Sequence, residues 1–361
     1  MIRITDLSRR VGDRKILDAV NLEIRDGEIF TLIGPSGSGK TTLLRLLDLL
    51  DLPSTGAIDF DCITPDGSRA GEIRIRRTMA MVFQKPTVLN TTVKENVAVG
   101  LTFRGGKRTD IDDQVRSVLD LVGLSGFAER RAVTLSGGEM QRIAIARAVI
   151  TKPKVLLLDE PTANLDPENA GIIEDLILRI NKKFRTTIIL STHDMIQGQR
   201  LAHRIGVIMD GRLVQTGDSA DIFFHPVNRA VASFVGIEPI RGATVDRNDG
   251  GLATITAGGL QIQAVTNKLP ATKVALCIRP EDITLNLPDA PCPSGSARNC
   301  LNGTVTRLVP LGPSTRVYLD CNGIHVAALV TRRSSEELGI LKGSRLAAHI
   351  KATAVHVISD G

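Results

Sequence analysis

Aromatic side chains are nearly missing from this 361-residue chain, which has no Trp, one Tyr and nine Phe. So few rings leave no stacking platform for single-stranded nucleic acid. The net charge of +6 therefore reads as a mildly basic solvated surface, its cations scattered rather than gathered in one tail. Cysteine is scarce as well. Cys62, Cys277, Cys292, Cys300 and Cys321 show no CxxC pairing and no zinc-like spacing with His. Their odd number excludes a full set of intrachain disulfides, so thiols in a reducing cytosol are expected. Long apolar runs are absent too: the richest, residues 43–52, is broken by Arg45, Asp48 and Asp51, whereas a spanning helix needs about twenty apolar residues. The first fifteen residues carry charge with no apolar segment behind them, unlike a secretory signal. These absences predict a cytosolic chain that reaches a membrane only through a partner.

What is present changes character once along the chain. Residues 1–235 alternate short apolar runs (29–33, 155–158, 187–190) with helical patterns, which predicts a mostly parallel α/β domain. Residues of about 85–149 within it read as a helical insert. Residues 236–361 turn to short alternating segments punctuated by Gly, Pro and Asn, which predicts an all-β domain of two small OB-like barrels, about 238–290 and 296–359. The two halves carry a weak repeat: VALCIRPEDITL from Val274 aligns without a gap on LAAHIKATAVHV from Leu346, with Ile278 over Ile350, Arg279 over Lys351 and Ile283 over Val355. The Pro/Ser/Gly-rich stretch 289–296 reads as the link between them.

Gly34, Pro35, Ser36, Gly37, Ser38, Gly39, Lys40 and Thr41 fit the phosphate-binding pattern G-x-x-x-x-G-K-[ST], with Thr42 following. The pattern follows an apolar strand (28–33) and opens a helical stretch (41–50), the context in which glycines let backbone N–H groups turn toward phosphate oxygens. Lys40 then sets a cation between β- and γ-phosphates, and the Thr41 hydroxyl ligates Mg²⁺. Far downstream, VLLLDE (155–160) reads as a buried strand ending in two carboxylates. Asp159 is placed to hold the Mg²⁺, directly or through water, and Glu160 to polarise an attacking water. Such a strand end means little alone and much beside the loop. Between them, LSGGEMQR (135–142) reads as a helix capped by Ser136 and starting near Gly138, with Glu139 in its first turn. A helix N-terminus of this kind suits a phosphate.

In this order the motifs resemble the ATPase subunit of ABC transporters, whose signature is LSGGxxQR, and the resemblance spans nearly all of residues 1–235. It implies ATP and Mg²⁺ as cofactors, ATP hydrolysis, and a head-to-tail homodimer closed through ATP. Ser136 and Gly138 would then act on the phosphate held by the other chain. By the same resemblance Gln84, in MVFQKP, senses the nucleotide at the Mg²⁺ and couples to membrane subunits. Asp166, in Asn164-Leu165-Asp166, belongs to a loop that crosses the dimer, and His193, in LSTHD, touches the γ-phosphate. Lys40, Gln84, Glu160 and His193 make up the implied catalytic set. The implied partners are two integral-membrane permease subunits and, indirectly, an extracytoplasmic solute-binding protein, with this chain peripheral on the cytoplasmic face of the cell membrane. One departure stands out: the family's adenine-stacking aromatic has no counterpart near Val11.

RPEDI (279–283) resembles the accessory barrel of importer ATPases. SARNCLNGTV from Ser296, VTRRSSEELGILKG from Val330 and HIKATAVHVI from His349 are similar, in order, to the small oxyanion-binding domain of molybdate and tungstate proteins. A tetrahedral dianion needs converging hydroxyls, backbone N–H groups and a cation, and Ser296, Arg298, Asn299, Thr331, Ser334 and Lys351 are the expected donors. The leading expectation is an ATPase driving import of molybdate or tungstate. An importer of sulfate, phosphonate, a sugar or iron is the alternative within the class. A soluble oxyanion sensor or a non-transport ABC ATPase is the alternative outside it, and co-purification with a membrane protein separates those classes.

Overall fold

The computed structural model describes residues 1–61, 68–105, 107–288 and 296–360. The predicted link lies outside them except for Ser296, as do Cys62 and Cys292. The chain divides into two compact units, Met1–Ser219 and Ala220–Gly361. No helix among the described residues is long and apolar enough to cross a membrane.

The first unit begins with three antiparallel strands, β1 (Ile2–Val11), β2 (Arg14–Ile24) and, after an intervening strand, β4 (Thr55–Phe60), in the order β2-β1-β4. Its main sheet contains β3 (Ile29–Ile33), β5 (Met79–Val82), β6 (Val155–Asp159), β7 (Thr187–Thr192), β8 (Arg204–Met209) and β9 (Arg212–Gly217). The order is β5-β6-β7-β3-β8-β9, parallel except for β9. β3, β6 and β7 are buried along their whole length, as expected of strands covered on both faces, and this accounts for their largely apolar sequences. The consequence for function lies at one edge. The carboxyl ends of β5, β6, β7 and β3, four neighbours in the sheet, lead respectively to Gln84, to Asp159 and Glu160, to His193 and to the Gly34–Thr41 loop, at the rim where open parallel sheets bind ligands.

Side-chain caps set several helix starts in the first unit. Ser136 and Glu139 form a reciprocal capping box on the helix Gly137–Val149, and Thr92 and Glu95 do the same on Val93–Phe103. Asp166 caps Pro167–Phe184, with Pro at its first position, and Asp194 caps Met195–Leu201.

The second unit is β-rich, as predicted. Its strands are β10 (Ile240–Asp249), β11 (Leu252–Ala257), β12 (Leu260–Val265), β13 (Lys273–Ile278), β14 (Ile283–Asn286), β15 (Asn299–Leu311), β16 (Ser314–Cys321), β17 (Ile324–Thr331), β18 (Arg345–Ile350) and β19 (Val355–Ser359). They form two five-stranded sheets, β12-β11-β10-β13-β19 and β14-β18-β15-β16-β17. The repeat is visible as strand, one turn of 3-10 helix, strand: β13, Pro280–Asp282, β14 in one copy and β18, Ala352–Ala354, β19 in the other. Each copy lends one strand to the other's sheet. The copies pair antiparallel with each other, Ile278 opposite Val355 and Ile283 opposite Ile350, so β19 completes the first sheet while β14 joins the second. Residues from both sheets share one hydrophobic core, including Val245, Ile255, Leu276, Val317, Leu319 and Ile350.

Candidate active site

The Gly34–Thr41 loop is shaped by backbone that a side chain would block. Gly34 has φ +154°, and a Cβ there would stand 2.1 Å from the Ile208 carbonyl oxygen; Gly39 has φ +107°, and its Cβ would meet Leu17 at 2.7 Å. Both positions require glycine. Lys40, at the start of the helix Lys40–Leu47, is 6% exposed and donates from Nζ to the carbonyls of Gly34 (2.7 Å) and Pro35 (3.0 Å). Burial pushes the Lys40 ammonium below its usual range, and the charges of Glu160 and Asp159 oppose that shift. A partly desolvated cation beside the N–H groups of a helix start is a site suited to phosphate.

Thr41 Oγ1 donates to Asp159 Oδ1 (3.0 Å), which also accepts from Ser191 Oγ (2.6 Å). Ser191 in turn accepts from the Glu160 backbone N–H (3.2 Å), and the left-handed φ of Glu160 (46°) turns its side chain away from that of Asp159. The Glu160 carboxylate receives Gln84 Nε2 at 2.9 Å and lies 3.3 Å from His193 Nδ1. Among the described residues no three His, Cys, Asp or Glu side chains cluster as a self-sufficient metal site. Mg²⁺ needs none, since it is commonly held by one carboxylate, a hydroxyl and the phosphates of its substrate. Thr41, Asp159 and Gln84 supply hard oxygen donors of that kind.

These groups face a cleft of about 720 Å³ lined by Arg14, Ile16, Ser36, Gly37, Gly39, Lys40, Thr41, Thr42, Gln84, Glu160 and His193. Gly34, Pro35, Ser38 and Asp159 are not in its lining; Gly34 and Pro35 accept from Lys40, and Asp159 from Thr41. Ser136, Gly138 and Asp166 do not line it. They lie together elsewhere on the first unit: Asn169 donates from Nδ2 to Asp166 Oδ2 (2.6 Å), and a Cβ on Gly138 would meet Asn169 Oδ1 at 2.4 Å. Hydrogen bonds from the Ser136 backbone and side chain hold the Glu139 carboxyl below its usual range.

Sequence reasoning missed Arg14, Ile16, Ser191 and Asn169. Ser191 becomes visible only through the β6–β7 register, which sets it opposite Asp159. Val11, where an adenine-facing ring was sought, is outside the lining, while Arg14 and Ile16 from the same hairpin are within it.

The expected oxyanion donors fall into two groups: the β15–β18 register sets Asn299 opposite Ile350, beside Lys351, while Thr331 and Ser334 line a depression that the other four do not line. Asn299 is 3% exposed, accepts from the Gln263 backbone N–H (2.7 Å) and donates to the Gln263 carbonyl (2.9 Å), joining β15 to β12. Thr331 caps the short helix Arg332–Glu337, and its hydroxyl lies 2.7 Å from that of Ser334. These two face a depression shared with Glu281 and Glu337, each ion-paired to an arginine, Arg279 and Arg333. Lys351 precedes the turn Ala352–Ala354, near enough to Asp282 to act on its charge, and Ser296 and Arg298 are exposed.

The sequence profile of the ABC transporter family matches residues 17–163, and that of the TOBE domain matches residues 295–357. Among proteins of known name, the chain is 34% identical over 366 residues to a molybdate/tungstate import ATP-binding protein, WtpC, of Pyrococcus horikoshii, covering 99% of each. It is 35% identical over 324 residues to a spermidine/putrescine import ATP-binding protein, PotA, of Rubrobacter xylanophilus, covering 88% of this chain and 83% of that one. With a methionine import ATP-binding protein, MetN, of Burkholderia thailandensis, identity is 43% over 242 residues, 65% of this chain and 70% of that one. Among solved structures, cbiO1 of Clostridium perfringens, part of the ABC transporter complex cbiONQ, is similar with a TM-score of 0.59 at 30% identity, covering 62% of this chain and 90% of that one. A dimeric, post-hydrolysis ATP-binding cassette, MJ0796, bound to ADP and Pi, is similar with a TM-score of 0.56 at 31% identity, covering 61% of this chain and 99% of that one.

Proposed function

This chain belongs to the ATP-binding subunits of ABC importers and hydrolyses ATP, and we propose that the solute it serves is an oxyanion, molybdate or tungstate. The observation that carries the proposal is the extent of similarity. The match to the molybdate/tungstate protein runs through the β-rich second unit to 99% of both chains, whereas the match to the methionine protein covers 65% of this chain. An importer of another solute is the second reading, favoured by the similarly close polyamine-import relative.

In the proposed cycle Lys40 and the backbone of the Gly34–Thr41 loop bind the phosphates, with Thr41, Gln84 and Asp159 holding Mg²⁺. Bound there, Mg²⁺ supplies charge neutralisation on the phosphates. Glu160 accepts a proton from water, and His193, close to the same carboxylate, keeps that water in place. Ser136, Gly138 and Asp166 lie off their own chain's cleft, which supports their acting on that of a second copy. The active form is then a homodimer with two shared sites, docked on a permease pair at the cytoplasmic face, and residues 236–361 are its regulatory domain.

Titration calorimetry of the full-length protein with molybdate, tungstate and sulfate tests the solute. Tight uptake of either larger anion, with sulfate weaker, is expected. Uptake of none of them transfers the assignment to the second reading.

A further inference from the structure

Glu160 and His193 approach to 3.3 Å although their chain segments part at that point. The β6–β7 ladder ends at Asp159 opposite Ser191. Beyond it one segment runs through Thr162 toward the helix Pro167–Phe184, and the other enters the helix Met195–Leu201 through its cap, Asp194. Backbone pairing reaches no further than the Glu160 N–H on the Ser191 carbonyl (3.1 Å), so contacts past that point have to help fix the distance between the two side chains.

Gln197 sits where the two segments are tied. It is 1% exposed, and its Nε2 donates to Thr162 Oγ1 at 2.6 Å and to Glu174 Oε1 at 3.3 Å. Glu174, 6% exposed, is held from its other oxygen by Arg200 Nη2 at 2.6 Å. The Gln197 backbone N–H donates to Asp194 Oδ1 at 3.1 Å, locking the amide to the turn that directly follows His193. One residue thus ties together the segment after Glu160 and the helix Pro167–Phe184 through its side chain, and the segment after His193 through its backbone. Thr162, Glu160 and His193 also line a common depression. The Gln197 amide oxygen is buried without a hydrogen-bond partner. Packing alone does not call for a polar group there, and a Met of similar shape would fill the space without leaving that oxygen unsatisfied.

We infer that Gln197, through Thr162, is a positioning residue for hydrolysis: it sets the separation of the Glu160 carboxylate and the His193 imidazole without touching substrate. The inference rests on the reading of Glu160 and His193 as the hydrolytic pair. Positioning of this kind acts on turnover and leaves phosphate binding alone, because the Gly34–Thr41 loop shares none of these contacts.

The test compares Thr162→Val, which keeps the shape and removes the hydroxyl, with Thr162→Ser, which keeps the hydroxyl, and with Gln197→Met, all in the full-length protein. Thr162→Val is expected to lower kcat about tenfold, with ATP affinity and melting temperature close to the parent's, since small misplacements of reacting groups cost rate steeply. Thr162→Ser is expected to stay within about twofold of the parent. A parental kcat in Thr162→Val overturns the inference, as does a Thr162→Ser variant as slow as Thr162→Val. If Gln197→Met fails to fold, the Thr162 pair still decides. Glu160→Gln and His193→Ala run alongside: normal turnover in those variants points to an error in the hydrolytic pair itself, whereas their loss together with an unaffected Thr162→Val points to an error in the positioning role alone.

Discussion

Around Lys40, polar side chains from five separated stretches of chain meet at one cleft. In the second unit, Asn299, Thr331 and Ser334 spend their hydrogen bonds on protein neighbours. The difference follows from architecture. A parallel sheet delivers the carboxyl ends of all its central strands to the same rim, so groups there can face outward while the strands carry the packing. Two interleaved antiparallel sheets need polar joints where they meet, and Asn299, reaching from β15 to β12, is one. A buried amide with this duty has little left for a ligand.

The contrast can be broken most sharply in the cleft. Glu160→Gln is expected to slow phosphate release by about two orders of magnitude or more while ATP still binds. A merely few-fold loss, read against nucleotide binding in the same sample, means the converged groups are not performing the chemistry their geometry allows. The next effect in size belongs to the second unit. Asn299→Ala removes both hydrogen bonds of a buried amide and strands the Gln263 backbone, which should destabilise that unit by about 2 kcal/mol, seen as a lower melting temperature with ATPase activity unchanged. Loss of molybdate or tungstate affinity at parental stability would instead return Asn299 to the ligand set.

The smallest effect concerns pH and has opposite signs in the two units. Burial raises the Asp48 carboxyl in the first unit to about 6. The stability it contributes is therefore full below the unfolded value near 3.8 and is lost as pH rises through about 6. Going from about pH 7 to pH 5 should add about 1 kcal/mol through this group. In the second unit burial is the main cause holding His356 below its usual value, opposed by the bond to the Pro226 carbonyl. Its contribution is present above the unfolded value near 6.5 and is lost as pH falls through the depressed folded value. Asp282, raised by burial but more exposed, works in the direction of Asp48 and offsets part of that loss. Asp48→Asn should flatten the first response and His356→Gln the second, as read by denaturant midpoints at several pH values; two unaltered slopes refute both attributions.

Much of the first unit was legible because its chemistry is written in contiguous residues. Gly34 to Thr41, Asp159-Glu160 and Leu135 to Arg142 each carry local conformation and function in one stretch, and the Ser136–Glu139 capping box forms from adjacent residues alone. Ser191 and Asn169 were not legible, because their roles depend on a strand register and on a helix packing against Gly138. In the second unit the repeat was visible and its pairing was not. An alignment of two segments states that they fold alike and is silent on whether each closes its own sheet or borrows the other's. The donors proposed for an oxyanion suffered from the same silence. Hydroxyls and amides near strand ends satisfy a composition, but only three-dimensional pairing decides which of them are already engaged.

The exchange of β14 and β19 ties the order of synthesis to the order of assembly. β13 emerges from the ribosome with β10 as its neighbour, yet its other edge stays open until residues 355–359 have been made. β14 waits for the same stretch of chain, since its partner β18 lies just before it. Neither sheet can mature ahead of the other, so the second unit closes as one late event that pairs residues as far apart in sequence as Val274 and Ser359. Such closure is slow relative to local helix formation, and during the delay β13 and β14 present unpaired strand edges to any chain nearby. The nucleotide-binding unit waits too, since β3 pairs with β7 and β8 far along the chain, but its wait ends by Ser219: it can fold while the second unit is still being translated.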